Sequence, residues 1–328
     1  MAEVFSARMW TKPGFVKKVA IKRVLPRLGR NKLFLRMFMD EARLGLMLNH
    51  SNIVLVLDVG RAGDDHFIVM EYVDGVDLKQ ATRAYVDRGA MPPLEFTLLM
   101  AVEICRALSY AHNLSDARGR PLNIVHHDIN PANVLLSLQG EVKVVDFGLS
   151  TAAMHLQRSD PDVVRGKFGY LSPEIALGQG GDARADIYAL GIILWEMVTG
   201  QRLFLGRDDL EGLRLARAAA VRPPRELNPD IPEDLEKIIL CALARDPNDR
   251  FQDARHLGRS LTQVLFDLRR PVSLFEVGDM VGAVRTFLEE PQLTPEPTNV
   301  ERALEAELSR FNSLKYDGEV GPADELPF

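Results

Sequence analysis

The sequence predicts an α+β protein with a small, strand-rich lobe followed by a larger helical lobe. The first observation is the order of the elements, because strand-like runs dominate up to about residue 72 and helical spacing dominates afterwards. The second is size, since 328 residues, 46% of them hydrophobic, are enough for one large two-lobed domain with a sizeable core. The junction between the lobes is predicted near residues 72–75.

The small lobe is predicted to begin with a hairpin, because two strand-like runs flank a turn that contains Pro13 and Gly14. A helix is indicated where apolar side chains recur at every fourth position. These side chains belong to Phe34, Phe38, Ala42 and Leu46. We therefore predict strands at 4–7, 19–22, 53–59 and 66–70 and a helix at 31–49.

The larger lobe is predicted to be mainly helical, with one short hairpin whose turn contains Gln139 and Gly140. Its helices are expected at 94–111, 184–199, 208–220, 232–244 and 253–267, and its two strands at 134–136 and 142–145. Beyond this lobe, the pattern at 273–289 indicates one more amphipathic helix. The proline-rich stretch 291–297 is typical of a linker. A last helical pattern covers 299–314, and the final dozen residues have the composition of a disordered tail.

Composition and charge exclude several classes of function. A formal net charge of −6 lacks the basic excess of a nucleic-acid-binding protein. Cys105 and Cys241 lie in apolar helical patterns and provide neither a disulfide framework nor the spacing of metal ligands. No apolar run approaches the roughly 20 residues that span a bilayer, and no signal peptide is evident. We therefore expect a cytoplasmic protein that binds neither nucleic acid nor membranes.

Two carboxylates and an amide in the middle of the chain are spaced as phosphoryl transfer requires. Asp128 and Asn133 lie on one loop, in the segment His-His-Asp-Ile-Asn-Pro-Ala-Asn, and Asp146 begins an Asp-Phe-Gly sequence after the next hairpin. In such an arrangement one acid orients the attacking hydroxyl group. The amide and the other acid hold magnesium against the nucleotide phosphates.

A lysine and an acid of the small lobe complete this set. Lys22 ends the strand Val-Ala-Ile-Lys, and Glu41 lies on the following helix. Their pairing would aim the ammonium group at the α- and β-phosphates of a nucleotide. Each motif alone is a weak signal, whereas their order and spacing together are a strong one.

In these motifs the sequence resembles the protein kinase superfamily, and within it the bacterial eukaryotic-like Ser/Thr kinases. Three later segments add to the resemblance, namely Ser172-Pro173-Glu174, the run from Asp186 to Gly191, and Asp249-Arg250-Phe251. The resemblance implies a kinase domain over 1–268, divided into a small lobe over 1–72 and a large lobe over 73–268. Residues 269–328 would form an extension that is partly helical and partly disordered.

The resemblance also implies roles for individual residues, with ATP and Mg²⁺ as cofactors and proteins as substrates. Asp128 would be the catalytic base, Lys22 and Glu41 the activating ion pair, and Asn133 and Asp146 the metal ligands. Adenine would contact the side chains of Val4, Ala20 and Leu135, the gatekeeper Met70, and the backbone of Glu71 and Val73. Glu174 and Arg250 would form a buried ion pair that stabilises the large lobe.

The start of the chain departs from the family pattern. The third glycine of the glycine-rich loop would fall at residue 2, which is alanine. A chain truncated at this point is expected to lack the first strand of the sheet and the backbone N–H groups that cover the phosphates. The next strand would be left as an open edge. The alternative is a start codon assigned too far downstream.

Two positions near Asp128 also depart from the pattern. His127 replaces an arginine that receives an activation-loop phosphate, so phosphorylation within 149–171 is expected to matter little. Asn130 replaces a lysine that contacts the γ-phosphate, and Lys167 is a candidate to compensate for it. The neighbouring His126 is expected to be a core histidine that bonds backbone near the Asp-Phe-Gly turn.

Three functions are compatible with these residues. An active Ser/Thr protein kinase is favoured, because all five polar residues of the set are kept and unpaired buried charges would be costly. Its preference for serine and threonine over tyrosine follows only from the resemblance. A pseudokinase that acts as a binding or scaffold module is the alternative, and a phosphotransferase for small molecules is disfavoured by the segments after residue 171. The extension 269–328 would dock on the large lobe or recruit a partner.

Overall fold

The computed structural model describes residues 2–12, 15–25, 28–29, 31–63, 65–147 and 168–290. The described residues up to 287 belong to one compact unit. The expectations for Lys167, for residues 149–167, for the linker, for the last helical pattern and for the tail lie outside the described residues.

The small lobe contains a four-stranded antiparallel sheet with the order β1-β2-β4-β3. Its strands are β1 (Ala2–Lys12), β2 (Phe15–Val24), β3 (Val56–Ala62) and β4 (Asp65–Glu71). The predicted hairpin is present as β1 and β2, and both strands are longer than the sequence pattern indicated. Within the described chain, β1 occupies one edge of this sheet.

Helix α1 (Lys32–Met47) packs its apolar side against the sheet. It begins after Asn31, whose side chain accepts hydrogen bonds from two backbone N–H groups of the first turn. Phe34, Phe38 and Ala42 are buried as predicted, but Leu46 is 52% exposed. A step of four residues turns a side chain by about 40° around the helix axis, so Leu46 has rotated out of the buried face.

A three-stranded antiparallel sheet with the order β5-β6-β7 begins the large lobe. Its strands are β5 (Gly75–Asp77), β6 (Val134–Ser137) and β7 (Val142–Val144). Helix α2 (Leu78–Asp87) follows β5 directly, and the sequence analysis missed it. Asp77 and Gln80 cap its first turn reciprocally, a local signal that apolar periodicity does not report.

Backbone hydrogen bonds join the lobes in addition to the connecting residues 72–74. The N–H of Val54 donates to the carbonyl of Val144 at 2.9 Å, and the N–H of Val144 donates to the carbonyl of Asn52 at 2.8 Å. The buried Lys143 ammonium lies 3.1 Å from the carboxylate of Glu71. The strand that precedes Asp146 is therefore fixed directly against the small lobe.

The remaining helices of the large lobe lie close to their predicted positions, except for the short α4, which was not predicted. They are α3 (Leu94–His112), α4 (Pro173–Ala176), α5 (Ala183–Thr199), α6 (Asp209–Ala218), α7 (Glu233–Ala242), α8 (Ala254–Asp267) and α9 (Leu274–Glu289). Helix α5 is central, because every residue from 185 to 198 is buried. Among the described residues, no helix is both long enough and apolar enough to cross a lipid bilayer.

Arg250 and Glu174 form the ion pair that the sequence predicted. Two guanidinium nitrogens of Arg250 lie 2.8 and 2.7 Å from the two carboxylate oxygens of Glu174. The same guanidinium donates to the backbone carbonyls of Ala244, Arg184 and Arg245. Because Arg250 is only 3% exposed, its charge depends on these partners rather than on water.

Removing one partner of this pair should destabilise the large lobe. We expect Arg250→Met to lower the free energy of unfolding by about 3–5 kcal/mol, because Glu174 would lose its counter-charge. Arg222→Met is the matched control, since the Arg222–Glu226 pair is more than half exposed on both sides. Its loss should cost less than about 1 kcal/mol. Urea unfolding measures both variants, and equal losses would contradict the structural role of Arg250.

Candidate active site

One face of the small-lobe sheet carries several of the predicted nucleotide contacts. Lys22 lies opposite Val4 on β1, and Ala20 lies opposite Met70 on β4. Because opposed residues share a face and side chains alternate along a strand, all four side chains point the same way. The Lys22 side chain contacts Asp146 of the large lobe, so this face of the sheet is directed toward the junction between the lobes.

The other predicted adenine contacts lie around this junction. Leu135 is partly buried in β6, Glu71 ends β4, and Val73 lies in the connection 72–74. Met70 is 9% exposed, whereas Val4 is 63% exposed. Val4 is therefore the outermost of these side chains and Met70 the innermost.

The Lys22 ammonium holds two carboxylates from different parts of the chain. It lies 2.8 Å from the Glu41 carboxylate on α1 and 2.8 Å from the Asp146 carboxylate after β7. Burial alone would lower the pKa of Lys22, but the charges of Asp146 and Glu41 outweigh this and raise it. Lys22 therefore remains protonated and links the sheet, the helix and the large lobe.

The charged form of Glu41 is less well stabilised than that of its partner Lys22. Burial raises its pKa to about 7, with the nearby Asp146 charge adding to the rise and the Lys22 ammonium partly offsetting it. One of its two oxygens, Oε1, bonds Lys22, while the buried Oε2 has no hydrogen-bond partner. The charge of Glu41 is therefore sensitive to pH near neutrality.

Two amides hold the predicted catalytic base Asp128. The side-chain nitrogen of Asn133 donates to the backbone carbonyl and to the carboxylate of Asp128, at 2.8 and 3.1 Å. The side-chain nitrogen of Asn130 donates to the same two groups, at 2.9 and 3.2 Å. The N–H of Val145 donates to the carbonyl of Asn133 at 3.0 Å, which joins this loop to the chain beside Asp146.

The buried carboxylate of Asp186, at the start of α5, anchors the same loop from behind. It accepts hydrogen bonds from the backbone N–H groups of His126 and His127, at 2.8 and 2.7 Å. The ring of His112 on α3 lies 2.8 Å away and completes the set. Burial alone would raise the pKa of Asp186, but the bond to His112 and the backbone N–H of His126 outweigh this and lower it, so Asp186 stays ionised.

His126 is the core histidine that the sequence predicted. Its Nδ1 accepts a hydrogen bond from the N–H of Asp128, so the proton lies on Nε2, which donates to the carbonyl of Val145 at 2.8 Å. Its ring packs against Phe147, with the ring centres 4.5 Å apart. His126 therefore connects the loop of Asp128 to that of Asp146.

Two residues next to the site have left-handed backbone conformations, with φ of 60° at His127 and 64° at Asp146. Residues other than glycine adopt this conformation at a cost, and only where the surroundings impose it. The Asp186 carboxylate imposes it on His127, and Lys22 holds the side chain of Asp146. Burial lowers the pKa of His127, and the Asp186 charge offsets this only in part, so the neutral imidazole is favoured at pH 7.

The sequence analysis missed three residues that support this site. Asp77 lies directly across from Leu135 in the β5–β6 pair, and Lys143 joins β7 to Glu71. His112 lies one residue beyond the helix predicted at 94–111, and its ring contacts Asp186. Asp77 carried a recognisable signal as a helix N-cap, whereas the other two have roles that arise only from tertiary contacts.

The family model of the protein kinase domain matches residues 3–260 of this chain. The chain is 42% identical over 265 residues to the tyrosine-protein kinase MasK of Myxococcus xanthus, an alignment that covers 81% of this chain and 41% of that protein. It is 36% identical over 255 residues to the serine/threonine-protein kinase PrkC of Bacillus subtilis, covering 77% of this chain and 37% of that protein. The chain therefore belongs to the protein kinase family.

Solved structures agree with this assignment. The kinase domain of PknI from Mycobacterium tuberculosis superposes with a TM-score of 0.58 at 30% identity, covering 80% of this chain and 91% of that one. The two-lobed kinase fold predicted from the sequence is thus confirmed. The chain spans only about two-fifths of the length of the curated relatives named above.

The position of Glu41 predicts a pH dependence. As the pH falls through about 7, Glu41 takes up a proton and its ion pair with Lys22 is lost, so kcat/KM for ATP should fall on the acid side. We expect Glu41→Gln to remove this acid limb and to leave a low, flat profile between pH 6 and about 8.

Asp40→Asn is the matched control, because Asp40 is an exposed neighbour on the same helix that pairs with Arg43. It should keep the acid limb of the wild-type protein. Steady-state kinetics across this pH range, at constant ionic strength, measure both variants. An acid limb that persists unchanged in Glu41→Gln would assign the titration to another group.

Proposed function

We propose that this chain is a Ser/Thr protein kinase that transfers the γ-phosphoryl group of ATP to protein hydroxyl groups. The observation that carries the proposal is the Lys22 ammonium, placed 2.8 Å from both Glu41 and Asp146. Phosphoryl transfer depends on positioning and electrostatic stabilisation. The fold supplies both, because it brings these three charged groups together from separate parts of the chain. The loop of Asp128 is fixed beside them by the Val145–Asn133 hydrogen bond.

In this proposal Asp128 accepts the proton of the attacking hydroxyl group. Its carboxylate is oriented by Asn130 and Asn133, whose amides donate to it at 3.2 and 3.1 Å. Positioned general bases typically accelerate a reaction by about 10²–10⁴-fold. Asn130 thus contributes geometry at a position where the family has a positive charge.

The nucleotide would bind between the two sheets. Its adenine ring would lie near Met70, with the backbone of Glu71 and Val73 on one side. The apolar side chains of Val4, Ala20 and Leu135 would cover its faces. Lys22, on the same sheet face as Ala20, would then meet the phosphates.

The side chains of Asn133 and Asp146 would hold a magnesium ion beside the phosphates. The amide nitrogen of Asn133 is committed to Asp128, so its oxygen is left as a ligand. Within the described part of the chain, no cluster of three or more His, Cys, Asp or Glu side chains forms a metal site by itself. Magnesium typically takes one or two protein oxygens together with phosphate oxygens, which this pair would supply. The bound ion would neutralise the charge of the phosphates.

Serine and threonine are the acceptors that we propose, because PrkC and PknB, the latter from Mycobacterium leprae at 35% identity, are named serine/threonine-protein kinases. MasK is named a tyrosine-protein kinase and is 42% identical, so tyrosine is the competing acceptor. We also propose that the reaction takes place in the cytoplasm, on protein substrates.

The alternative is a pseudokinase that binds partners without transferring phosphate. Asn130 and the neutral His127 favour it, since both replace positive charges of the family. The intact contacts of Lys22, Glu41 and Asp146 oppose it, because burying these charges is costly in a protein that does not use them.

Replacing the proposed base tests these alternatives. We expect the purified chain to transfer labelled phosphate from Mg·ATP to a generic basic protein, and Asp128→Asn to lower kcat by about 10²–10⁴-fold with nucleotide affinity retained. Phosphoamino-acid analysis of the product identifies the acceptor. Labelled tyrosine would correct the acceptor class. Nucleotide binding without transfer by the wild-type chain would support the pseudokinase.

A further inference from the structure

Helix α9 contacts the outer side of the proposed nucleotide site, although it lies beyond the part of the chain that the kinase domain model matches. The match ends at residue 260, and α9 begins at Leu274. Val277, Val281 and Val284 are each at most 2% exposed, so this helix is packed as tightly as the core of the large lobe. A helix packed so tightly beyond the matched residues is part of the folded unit, and its contacts indicate what it does.

Two glycines allow α9 to approach the turn between β6 and β7. Gly140 in the turn has a φ of 84°, and any side chain there would collide with the backbone carbonyl of Leu274. Gly278 on the helix lies against the backbone carbonyl of Leu138, which a side chain would also strike. The contact is therefore close on both sides, and larger residues would not permit it.

Charged groups extend this contact to the connection between the lobes. The guanidinium of Arg285 lies 2.9 Å from the carboxylate of Asp74, the residue that directly follows Val73. The carbonyl of Asp74 accepts a hydrogen bond from the N–H of Leu138 at 2.8 Å. The helix, the β6–β7 turn and the connection therefore form one continuous set of contacts.

The end of α2 is attached to the same helix. Arg88 donates to the carbonyl of Ala283 at 3.3 Å, and its guanidinium lies over the ring of Phe287 at 4.1 Å. Helix α2 starts at Leu78, directly after Asp77, which faces Leu135 across the β5–β6 pair. Helix α9 thus contacts the connection between the lobes, the β6–β7 turn and the C-terminal end of α2.

We infer that α9 holds the connection between the lobes in its nucleotide-binding conformation, with Arg285 as a positioning residue. This inference rests on the proposed function, and it deepens it by adding a support for ATP binding outside the common kinase domain. If only a fraction of molecules has the competent conformation, the apparent affinity for nucleotide falls by that fraction. Releasing α9 should therefore raise KM for ATP while kcat changes little.

Two alanine substitutions on α9 form a matched pair. Gly278→Ala and Gly282→Ala favour the helical state equally, because they make the same change in the same helix. A methyl group at Gly278 collides with the backbone of Leu138, whereas one at Gly282 meets only a Leu138 methyl group at 4.0 Å. In the full chain we expect Gly278→Ala to raise KM for Mg·ATP about tenfold with kcat within about twofold, and Gly282→Ala to leave both unchanged.

Arg285 tests the same contact without changing the packing of the helix. Arg285→Ala should raise KM for Mg·ATP by about two- to fivefold, as expected for a partly exposed ion pair. Arg285→Asp places a carboxylate opposite that of Asp74 and should therefore raise KM for Mg·ATP further. Adding Asp74→Arg to this variant should restore the wild-type KM. Such a rescue would not follow if the substitutions merely destabilised the fold.

The Kd for Mg·ADP, measured by calorimetry, separates this inference from the proposed function because it requires no turnover. Absence of phosphate transfer would refute the proposed function, while the Kd values would still decide the role of α9. Wild-type Kd and KM in both Gly278→Ala and Arg285→Asp would overturn the inference. Should Gly278→Ala fail to fold, the charge exchange between Arg285 and Asp74 decides alone, and a missing rescue overturns the inference.

Discussion

The site depends on one buried ammonium group that is shared by two carboxylates. Lys22 is the contact at which the small-lobe sheet, helix α1 and the segment after β7 meet. Two negative charges and one positive charge leave the cluster with a net negative charge, and burying charge without full compensation is unfavourable. Burial is the main cause of the raised pKa of Glu41, and the nearby Asp146 charge adds to it. A cation at Asp146 would correct the imbalance of charge, which is why the cluster suits a magnesium nucleotide.

The large lobe supplies the rigidity that this charged cluster needs. From the buried start of α5, the Asp186 carboxylate accepts hydrogen bonds from two successive backbone N–H groups of the loop that carries Asp128. The side chain of His126 connects the same loop to Val145. With these contacts in place, the unfavourable left-handed conformations of His127 and Asp146 can be maintained. The apolar core around α5 thus determines where the polar side chains of the site lie.

Sequence patterns were informative where local periodicity and packing agree. Spacing or resemblance predicted the β1–β2 hairpin, the helices α1 and α5, and the pairing of Glu174 with Arg250. Leu46 was misplaced because a four-residue spacing drifts around a helix, and α2 was missed because its signal lies in its cap. The contacts between α9 and Asp74 were not predictable, since the partners are more than 200 residues apart in sequence.

The departures from the family pattern change charge more than they change geometry. Asn130 donates to the Asp128 carboxylate, as a positioning group would, but it brings no positive charge toward the phosphates. The backbone N–H of His127 bonds Asp186 independently of the charge on its side chain. The neutral ring of His127 provides no positive charge that could bind a phosphorylated loop. Preorganised positive charge lowers the barrier by stabilising the charge that develops in the transition state. The substitutions should therefore slow the transfer step itself, whereas the contacts that assemble the nucleotide site remain, so that low turnover in this chain would not by itself indicate a scaffold.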